Sequence, residues 1–265
     1  MHPMLNTAVK AARRAGTIIM RHLDRLETLT IETKGRNDFV SEVDRMAEAE
    51  IIHILHTAYP SHGILAEETG SQAGDDYLWI IDPLDGTTNF LHGYPQFAVS
   101  IALQHKGRLE QAVVFDPFKN ELFTATRGNG AQLNDRRIRV SRTQDLDKAL
   151  LGTGFPFRSH QHLETWINTL RDLLLRSSDI RRAGSASLDL AHVACGRFDG
   201  FWELGLSPWD MAAGCLLIHE AGGIVSDFAG GAGFLTSGNI LAATPRIHEI
   251  MLARIRTHLP AELRR

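Results

Sequence analysis

The sequence of 265 residues has few cysteines, little net charge and no long apolar run, and each shortage excludes a class of protein. Its two cysteines, Cys195 and Cys215, stand among small or apolar residues without metal-type spacing, so we expect reduced core thiols rather than a disulfide framework. The uncharged stretches fall short of the ~20 apolar residues that a membrane span needs. A net charge of −3 excludes a surface that is basic throughout and binds nucleic acid by bulk electrostatics.

The N-terminal segment is amphipathic and shows no apolar core of signal-peptide length. There is also no internal repeat and no low-complexity segment, and the hydrophobic content of 43% is close to that of ordinary globular proteins. We therefore expect a soluble cytoplasmic protein with a hydrophobic core large enough to be stable without disulfide cross-links.

The pattern of apolar residues predicts two parts of the chain that differ in how helices and strands are arranged. Helical spacing predicts helices over 5–26, 42–58, 161–175, 186–195, 208–220 and 245–258, the second opened by a capping box at 41–44. Strand-like runs occupy 63–66, 77–81, 97–103, 109–115, 121–125, 138–140, 149–153, 198–202, 223–227 and 239–243. We expect a largely antiparallel sheet in an N-terminal half, residues 1–150, and an alternating α/β half over residues 151–265.

The most informative segment is 79–90, where a buried strand ends abruptly in Asp82-Pro83-Leu84-Asp85-Gly86-Thr87-Thr88. Two carboxylates three residues apart at the end of an apolar strand repel each other unless a cation joins them. A hard ion such as Mg²⁺ satisfies both, and a helix capped by Thr87 or Thr88 would direct amide groups at a phosphate beside it. The alternative is that Asp82 and Asp85 are turn formers and that Thr87 is an ordinary helix cap.

Two further acidic positions follow the same pattern less specifically. Glu67 and Glu68 come directly after the strand-like run 63–66, although a pair of glutamates is also typical of a solvated loop. Asp210 stands at the start of an apolar helical run, three residues after Ser207, where a capping-box acid is the alternative to a metal ligand. The residues alone leave these alternatives open.

Taken together, these segments resemble a known family. The runs Asp82–Thr88, Trp209–Gly214 and Glu220–Gly223 are similar to the two signatures of the inositol monophosphatase family of lithium-sensitive, magnesium-dependent phosphatases. The resemblance runs essentially end to end and is strongest to the bacterial SuhB-type branch. It implies an α/β (α+β) fold, a layered αβαβα sandwich of the inositol monophosphatase and fructose bisphosphatase type, with the active site between the two halves.

The resemblance also implies a role for each matching residue. Two to three Mg²⁺ ions would be held by Glu67, Asp82, the Leu84 carbonyl, Asp85 and Asp210, with Asp82 shared between ions. The implied catalytic residues are Asp44, Glu67 and Thr87, of which Thr87 and Asp44 orient the attacking water. Gly86 and Thr87 would bind the phosphate, and the substrate hydroxyl groups would meet Asp85, Ser185, Ala186 and Glu203.

The function that the resemblance implies is Mg²⁺-dependent hydrolysis of inositol monophosphate by a homodimer. Fructose bisphosphate, a 3'-phosphoadenosine nucleotide or histidinol phosphate are alternative substrates, because the walls of a pocket cannot be read from sequence. SuhB-type members are also associated with ribosomal RNA transcription antitermination, which implies RNA polymerase and Nus-type factors as partners. A regulatory protein-interaction module is therefore the alternative from another class.

Overall fold

The computed structural model describes residues 2–28, 31–35, 38–156 and 160–264 and shows a stack of helices and sheets. Within these ranges the helices are α1 (Pro3–Leu23), α2 (Glu42–Ala58), α3 (Thr87–Leu91), α4 (Leu163–Leu174), α5 (Ala186–Ala194), α6 (Pro208–Ala221), α7 (Phe234–Ser237) and α8 (Pro245–His258). The strands are β1 (Ile31–Gly35), β2 (Asp38–Ser41), β3 (Gly63–Ala66), β4 (Gly70–Gln72), β5 (Tyr77–Asp85), β6 (Ala98–His105), β7 (Arg108–Asp116), β8 (Glu121–Thr126), β9 (Gly130–Leu133), β10 (Arg136–Arg137), β11 (Leu150–Thr153), β12 (Asp179–Arg181), β13 (Gly200–Glu203), β14 (Ile224–Ser226) and β15 (Ile240–Ala243).

The helices and sheets alternate in five layers. α1 and α2 pack together on one face of an eight-stranded sheet, and α5 and α6 cover its other face. A five-stranded sheet lies on the far side of α5 and α6, with α4 and α8 against its outer face. Both faces of the large sheet are therefore covered, which explains why β6 and β7 are apolar along most of their length. This order confirms the layered αβαβα sandwich.

The eight-stranded sheet has the order β10-β9-β8-β7-β6-β5-β3-β4. Its neighbouring strands are antiparallel, except that β3 runs parallel to β5 with Gly63 opposite Leu78. Parallel neighbours end at the same edge of a sheet. The residues that follow β3 and those that end β5 are therefore brought together, although they are far apart along the chain.

The five-stranded sheet has the order β12-β11-β13-β15-β14. β11 pairs in parallel with β12 and β13, while β15 pairs antiparallel with β13 and β14. β13 ends at Glu203, and the two helices between the sheets begin at Ala186 and Pro208. Through these positions the second part of the chain contributes to the cavity described below.

The predicted strand at 138–140 is wrong. The hairpin that starts with β9 closes instead on the short strand β10, Arg136–Arg137. Ile138 and Val140 pack against the core beside α6, and the Val140 N–H donates to the Ala221 carbonyl at 3.2 Å. The alternation of apolar and charged residues over 138–140 thus reflects packing on the end of a helix rather than strand pairing.

Cysteine burial and helix length bear on two other expectations. Cys195 and Cys215 are both free, and Cys215 is buried. Burial raises the pKa of the Cys215 thiol, which keeps it protonated and unreactive. Among the helices in the described part of the chain, none is both long and apolar enough to cross a bilayer.

Candidate active site

Two parallel strands bring two segments to one edge of the large sheet: the Glu67 loop, residues 67–69 after β3, and the Asp82 motif, residues 82–88 at the end of β5. The Glu67 N–H donates to the Ile81 carbonyl at 3.2 Å and so continues the pairing of β3 with β5 past the end of β3. The pairing of β5 with β6 becomes irregular between Asp82 and Asp85. Pro83, which has no N–H to donate, lies within that irregularity. The chain therefore leaves the regular ladder where the two carboxylates occur.

Three carboxylates from two distant parts of the chain converge at this edge. One oxygen from each of Asp82, Asp85 and Asp210 lies within 4.8 Å of the others. All three residues are buried, with 1%, 8% and 5% of their surface exposed. Burial raises the pKa of Asp82 well above its ordinary value, and the neighbouring carboxylates, Glu67 among them, raise it further. A buried set of mutually repelling oxygen donors fits a hard divalent cation such as Mg²⁺, whose charge removes the repulsion.

Asp210 serves both the start of α6 and the acidic cluster. Ser207 is the N-cap of α6, Pro208 is its first residue, and the Ser207 N–H donates to Asp210 Oδ2 at 2.7 Å. This is the capping box that the sequence offered as the alternative to a metal ligand. The two interpretations do not exclude each other, because the cap holds the Asp210 carboxylate in the position where it meets the cluster.

The start of α5 holds the Asp85 side chain. Asp85 Oδ2 accepts hydrogen bonds from the Ser185 hydroxyl at 2.6 Å, the Ser187 N–H at 2.8 Å and the Ser187 hydroxyl at 2.5 Å. Burial raises the pKa of Asp85, and these donors offset part of that rise. Three donors on one oxygen fix the orientation of the carboxylate. The resemblance to the family implied a role for Ser185 but not for Ser187, although a second serine at the same helix start was the available signal.

A hydroxyl–carboxylate pair lies beside the cluster. Thr87 Oγ1 donates to Asp44 Oδ1 at 2.9 Å and lies 3.1 Å from the Leu84 carbonyl oxygen. Asp44 Oδ2 accepts from the N–H and the hydroxyl of Ser41, the N-cap of α2, at 2.9 and 2.6 Å. The predicted capping box at 41–44 is thus confirmed, and it orients Asp44 toward Thr87. Burial raises the pKa of Asp44, while the hydrogen bonds from Ser41 limit the rise.

The turn that follows Asp85 requires glycine. Gly86 has a φ of +92°, in the left-handed region that side chains disfavour. A Cβ at this position would also lie 2.8 Å from the Gln96 carbonyl oxygen and 3.3 Å from that of Gly184. Backbone conformation and close packing therefore both exclude a side chain at Gly86.

The helix after this turn begins differently from the prediction. Gly86 is the N-cap of α3, and no side chain caps it, so the prediction that Thr87 or Thr88 caps this helix is wrong. Thr87 is the first helical residue, and its hydroxyl is directed to Asp44 instead of to the N–H groups of its own helix. The turn from Asp85 into the helix needs a residue in the left-handed backbone conformation, and only glycine adopts this conformation at low cost.

One cavity of about 590 Å³ joins the predicted site residues. Its wall includes Glu67, Asp82, Leu84, Asp85, Gly86, Thr87, Ser185, Ala186, Glu203 and Asp210. Asp44 contacts this wall through the Thr87 hydroxyl. The structure therefore brings every predicted site residue to one place, and the volume lies in the range of roughly 300–1,000 Å³ that is usual for small-molecule sites.

Glu203 is a buried acid in the cavity wall, at the end of β13. Only 6% of its surface is exposed, and burial raises the pKa of Glu203 well above its ordinary value, with a further rise from Asp210. Gly154 lies directly against the Glu203 carboxylate, and a Cβ on Gly154 would overlap it. The missing side chain at position 154 is therefore what leaves room for this carboxylate.

Two further buried acids in this region were not predicted. Asp189 on α5 lines the cavity, its Oδ1 has no hydrogen-bond partner among the described residues, and burial raises the pKa of Asp189 well above its ordinary value. Glu48 on α2 accepts N–H groups from the loop after Glu67. Each lies four residues after a predicted site residue, Ser185 and Asp44 respectively, and this helical spacing was the available signal.

Comparison with known proteins decides the family. A sequence model of the Inositol monophosphatase family matches residues 1–260. The chain belongs to the inositol monophosphatase family. A Pseudomonas aeruginosa protein named Nus factor SuhB is 56% identical over 271 residues, with 100% of each chain covered. The resemblance to the family and to its SuhB-type branch is thus confirmed.

Solved structures of inositol monophosphatase family members show the same fold. The extragenic suppressor protein suhB from Bartonella henselae is 43% identical, with a TM-score of 0.95, and the match covers 97% of this chain and 100% of that one. An inositol monophosphatase from Anabaena is 40% identical, with a TM-score of 0.85 and 97% of each chain covered. The layered sandwich of this chain is therefore the fold of its family over nearly the whole length.

Proposed function

We propose that the protein is a Mg²⁺-dependent phosphatase that hydrolyses a small phosphate monoester, with inositol monophosphate as the substrate. The observation that carries this proposal is the convergence of three buried carboxylates, Asp82, Asp85 and Asp210, in a cavity that also contains Thr87. Membership of the inositol monophosphatase family supports the same reaction.

The residues suited to hold two to three Mg²⁺ ions are Glu67, Asp82, the Leu84 carbonyl, Asp85 and Asp210. These groups are all oxygen donors at the cavity wall, which is the ligand set that Mg²⁺ prefers. Mg²⁺ bound there would stabilise the negative charge on a phosphate dianion and on its leaving oxygen, and it would lower the pKa of a water toward neutral pH. Glu67, Asp85 and Asp210 all lie near enough to Asp82 for their charges to raise the pKa of Asp82, which suits Asp82 as a ligand shared between ions.

The Thr87–Asp44 pair is placed to orient a water and take its proton. Because the Thr87 hydroxyl donates to Asp44 Oδ1, its oxygen presents a lone pair to a water in the cavity. As that water attacks phosphorus, its proton passes to Thr87 Oγ1 while the Thr87 proton passes to Asp44. The raised pKa of Asp44 makes it a better base than an exposed aspartate. Such assistance contributes roughly 10²–10⁴ in rate.

Substrate binding follows from the two helix starts at the cavity. The N–H groups of Gly86 and Thr87 belong to the first turn of α3, where backbone donors have no acceptor within the helix, and they suit a phosphate. Asp85, Ser185, the Ala186 backbone and Glu203 line the cavity and suit the hydroxyl groups of a polyol. The Glu203 carboxylate oxygens are able to accept hydrogen bonds from such hydroxyl groups.

A panel of phosphate esters tests this proposal. Inositol monophosphate, fructose bisphosphate, a 3'-phosphoadenosine nucleotide and histidinol phosphate are compared for phosphate release with Mg²⁺, with EDTA and with added lithium. We expect inositol monophosphate to be the best substrate and EDTA and lithium to abolish or inhibit release. Hydrolysis that is independent of metal and insensitive to lithium would contradict the proposal.

We also propose a second role as a Nus-type factor in ribosomal RNA transcription antitermination, with RNA polymerase and other Nus factors as partners. A full-length relative at 56% identity that is named Nus factor SuhB supports this role. Affinity capture with the wild type and with Asp82→Asn separates the two functions. We expect both proteins to retain RNA polymerase and Nus factors, and failure of the wild type to capture them would contradict the role.

The proposed assembly is a cytoplasmic homodimer, as the family membership suggests. Within each chain, residues 1–150 would carry the Asp82 motif, and residues 151–265 would donate Asp210 and the substrate contacts. Light scattering after size exclusion should give twice the chain mass of 29.4 kDa. A single chain mass at micromolar concentration would contradict the dimer.

A further inference from the structure

Glu48 is a buried carboxylate that binds the backbone of the loop after β3. It lies on α2 and has 0% of its surface exposed. Its Oε2 accepts the Glu68 N–H at 2.9 Å and its Oε1 accepts the Thr69 N–H at 2.8 Å. Both oxygens are thus used, one for each of two consecutive amides. Hydrogen bonds to a charged group are stronger than those between neutral groups, and a buried carboxylate needs them to offset the free-energy cost of its desolvation.

The two amides that Glu48 binds come directly after Glu67. On its other side, Glu67 is anchored by its own N–H, which donates to the Ile81 carbonyl at 3.2 Å. The backbone of Glu67 is therefore fixed by the sheet before it and by Glu48 after it. A glutamate side chain on such a backbone points in a defined direction, toward the cavity wall of which it is part.

The same helix positions the other half of the site. Asp44 and Glu48 lie four residues apart on α2, so both face the sheet from one side of the helix, and both have 0% exposure. Asp44 binds the Thr87 hydroxyl, and Glu48 binds the Glu67 loop. A single rigid helix thus sets the relative positions of the hydroxyl that orients water and of the loop that carries an acid.

We propose that Glu48 is a positioning residue that holds the Glu67 carboxylate in place for binding Mg²⁺. This inference rests on the proposed function, in which Glu67 is a metal ligand. Glu48 acts only through the loop and touches neither substrate nor metal. Partners that orient metal ligands are worth about 10–100-fold in metal affinity when they are removed, and we expect a loss in that range.

The test is the Mg²⁺ dissociation constant of Glu48→Gln, measured by titration calorimetry without substrate. Glutamine has nearly the same shape, but its NH₂ group faces an N–H of the loop instead of accepting from it. We expect the dissociation constant to rise about 10–100-fold. The Mg²⁺ concentration for half-maximal phosphatase rate should rise in parallel, while kcat at saturating Mg²⁺ should largely recover.

A matched control is Glu220→Gln. Glu220 also accepts two backbone N–H groups, from Gly128 at 2.8 Å and Gly130 at 2.7 Å, but it does so at the β8–β9 turn. Its loss should lower the melting temperature and leave Mg²⁺ binding unchanged. A purely structural role for Glu48 predicts the same result for Glu48→Gln.

The outcomes separate this inference from the proposed function. Wild-type affinity for Mg²⁺ in Glu48→Gln, or an equal loss in Glu220→Gln, overturns the positioning role while the phosphatase proposal stands. A wild type that neither binds Mg²⁺ nor releases phosphate overturns the proposed function itself. If Glu48→Gln does not fold, Glu48→Asp replaces it, since the shorter side chain keeps the charge but does not reach both amides. A weaker Mg²⁺ affinity then supports the inference and an unchanged affinity overturns it.

Discussion

Gly86→Ala tests whether the turn into α3 sets the geometry of the site. Alanine in the left-handed region costs roughly 1–2 kcal/mol. In a domain of this size such a cost corresponds to a fall of roughly 2–8 °C in melting temperature. The added Cβ would also lie 2.8 Å from the Gln96 carbonyl oxygen, a backbone atom that cannot rotate away. The turn must therefore move, and Thr87 moves with it. A displacement on the order of 1 Å costs about 10²-fold in rate, so kcat/KM should fall about 100-fold.

Gly107→Ala is the matched control for that experiment. Gly107 has a φ of +80°, and a Cβ there would meet nothing within 4 Å. It lies in the turn between β6 and β7, away from the residues that line the cavity. This variant should show the same loss of melting temperature from the backbone conformation and wild-type kcat/KM. Equal activity in Gly86→Ala and Gly107→Ala would contradict this prediction, because close packing at Gly86 would then have no effect on the site.

Substitutions at three other positions give distinct results. Thr87→Ala should lower kcat roughly 10²–10⁴-fold with Mg²⁺ affinity unchanged, and Thr87→Ser should restore most of the rate; equal activity in both would exclude the hydroxyl as the group that orients water. Gly154→Ala should displace the Glu203 carboxylate. KM for inositol monophosphate should then rise more than KM for an aryl phosphate without hydroxyl groups. Equal changes in the two KM values would argue against recognition of substrate hydroxyl groups by Glu203. The hydrogen bond and charge of Arg197 hold the pKa of Glu121 below its ordinary value. This pair therefore stabilises the fold at pH values above the unfolded-state pKa of Glu121. Its contribution is lost as the pH falls through the lower folded-state pKa. Denaturant unfolding of Arg197→Ala should therefore show about 1 kcal/mol less stability at pH 7 and a smaller difference in acid, and a difference that grows in acid would contradict this sign.

The parts of the site that could be predicted from sequence are those specified by neighbouring residues. The capping box at Ser41 needs only residues within one helical turn, and its prediction is confirmed. The end of β5 was also recognisable, because an apolar run stops at two aspartates. The roles assigned to Glu67 and Asp210 came from the resemblance to the family, since the residues alone favoured a local alternative for each: a solvated loop for Glu67 and a capping box for Asp210.

The parts that sequence could not give depend on long-range packing. Ser187 meets Asp85 across 102 residues of sequence, so its place at the start of α5 makes it a candidate, but only long-range packing pairs it with Asp85. The spacing of Glu48 from Asp44 places both on one face of α2, but only the parallel pairing of β3 with β5 brings the loop after Glu67 against Glu48. The predicted strand at 138–140 failed for the same reason, since its apolar residues pack against α6 and the core instead of pairing with a strand. Local patterns identified groups such as Asp82 and Asp85, and long-range packing decided which groups meet.

Phosphate release by Asp82→Asn at saturating Mg²⁺ shows whether the carboxylate cluster is the metal centre of the reaction. Asparagine keeps the shape of the side chain and removes one charge from the cluster, so the fold should survive, and without Mg²⁺ the variant should melt above the wild type because repulsion is relieved. Mg²⁺-dependent release of phosphate from inositol monophosphate should fall to background. Retention of that Mg²⁺-dependent release by the folded variant would contradict the role of Asp82 as a metal ligand.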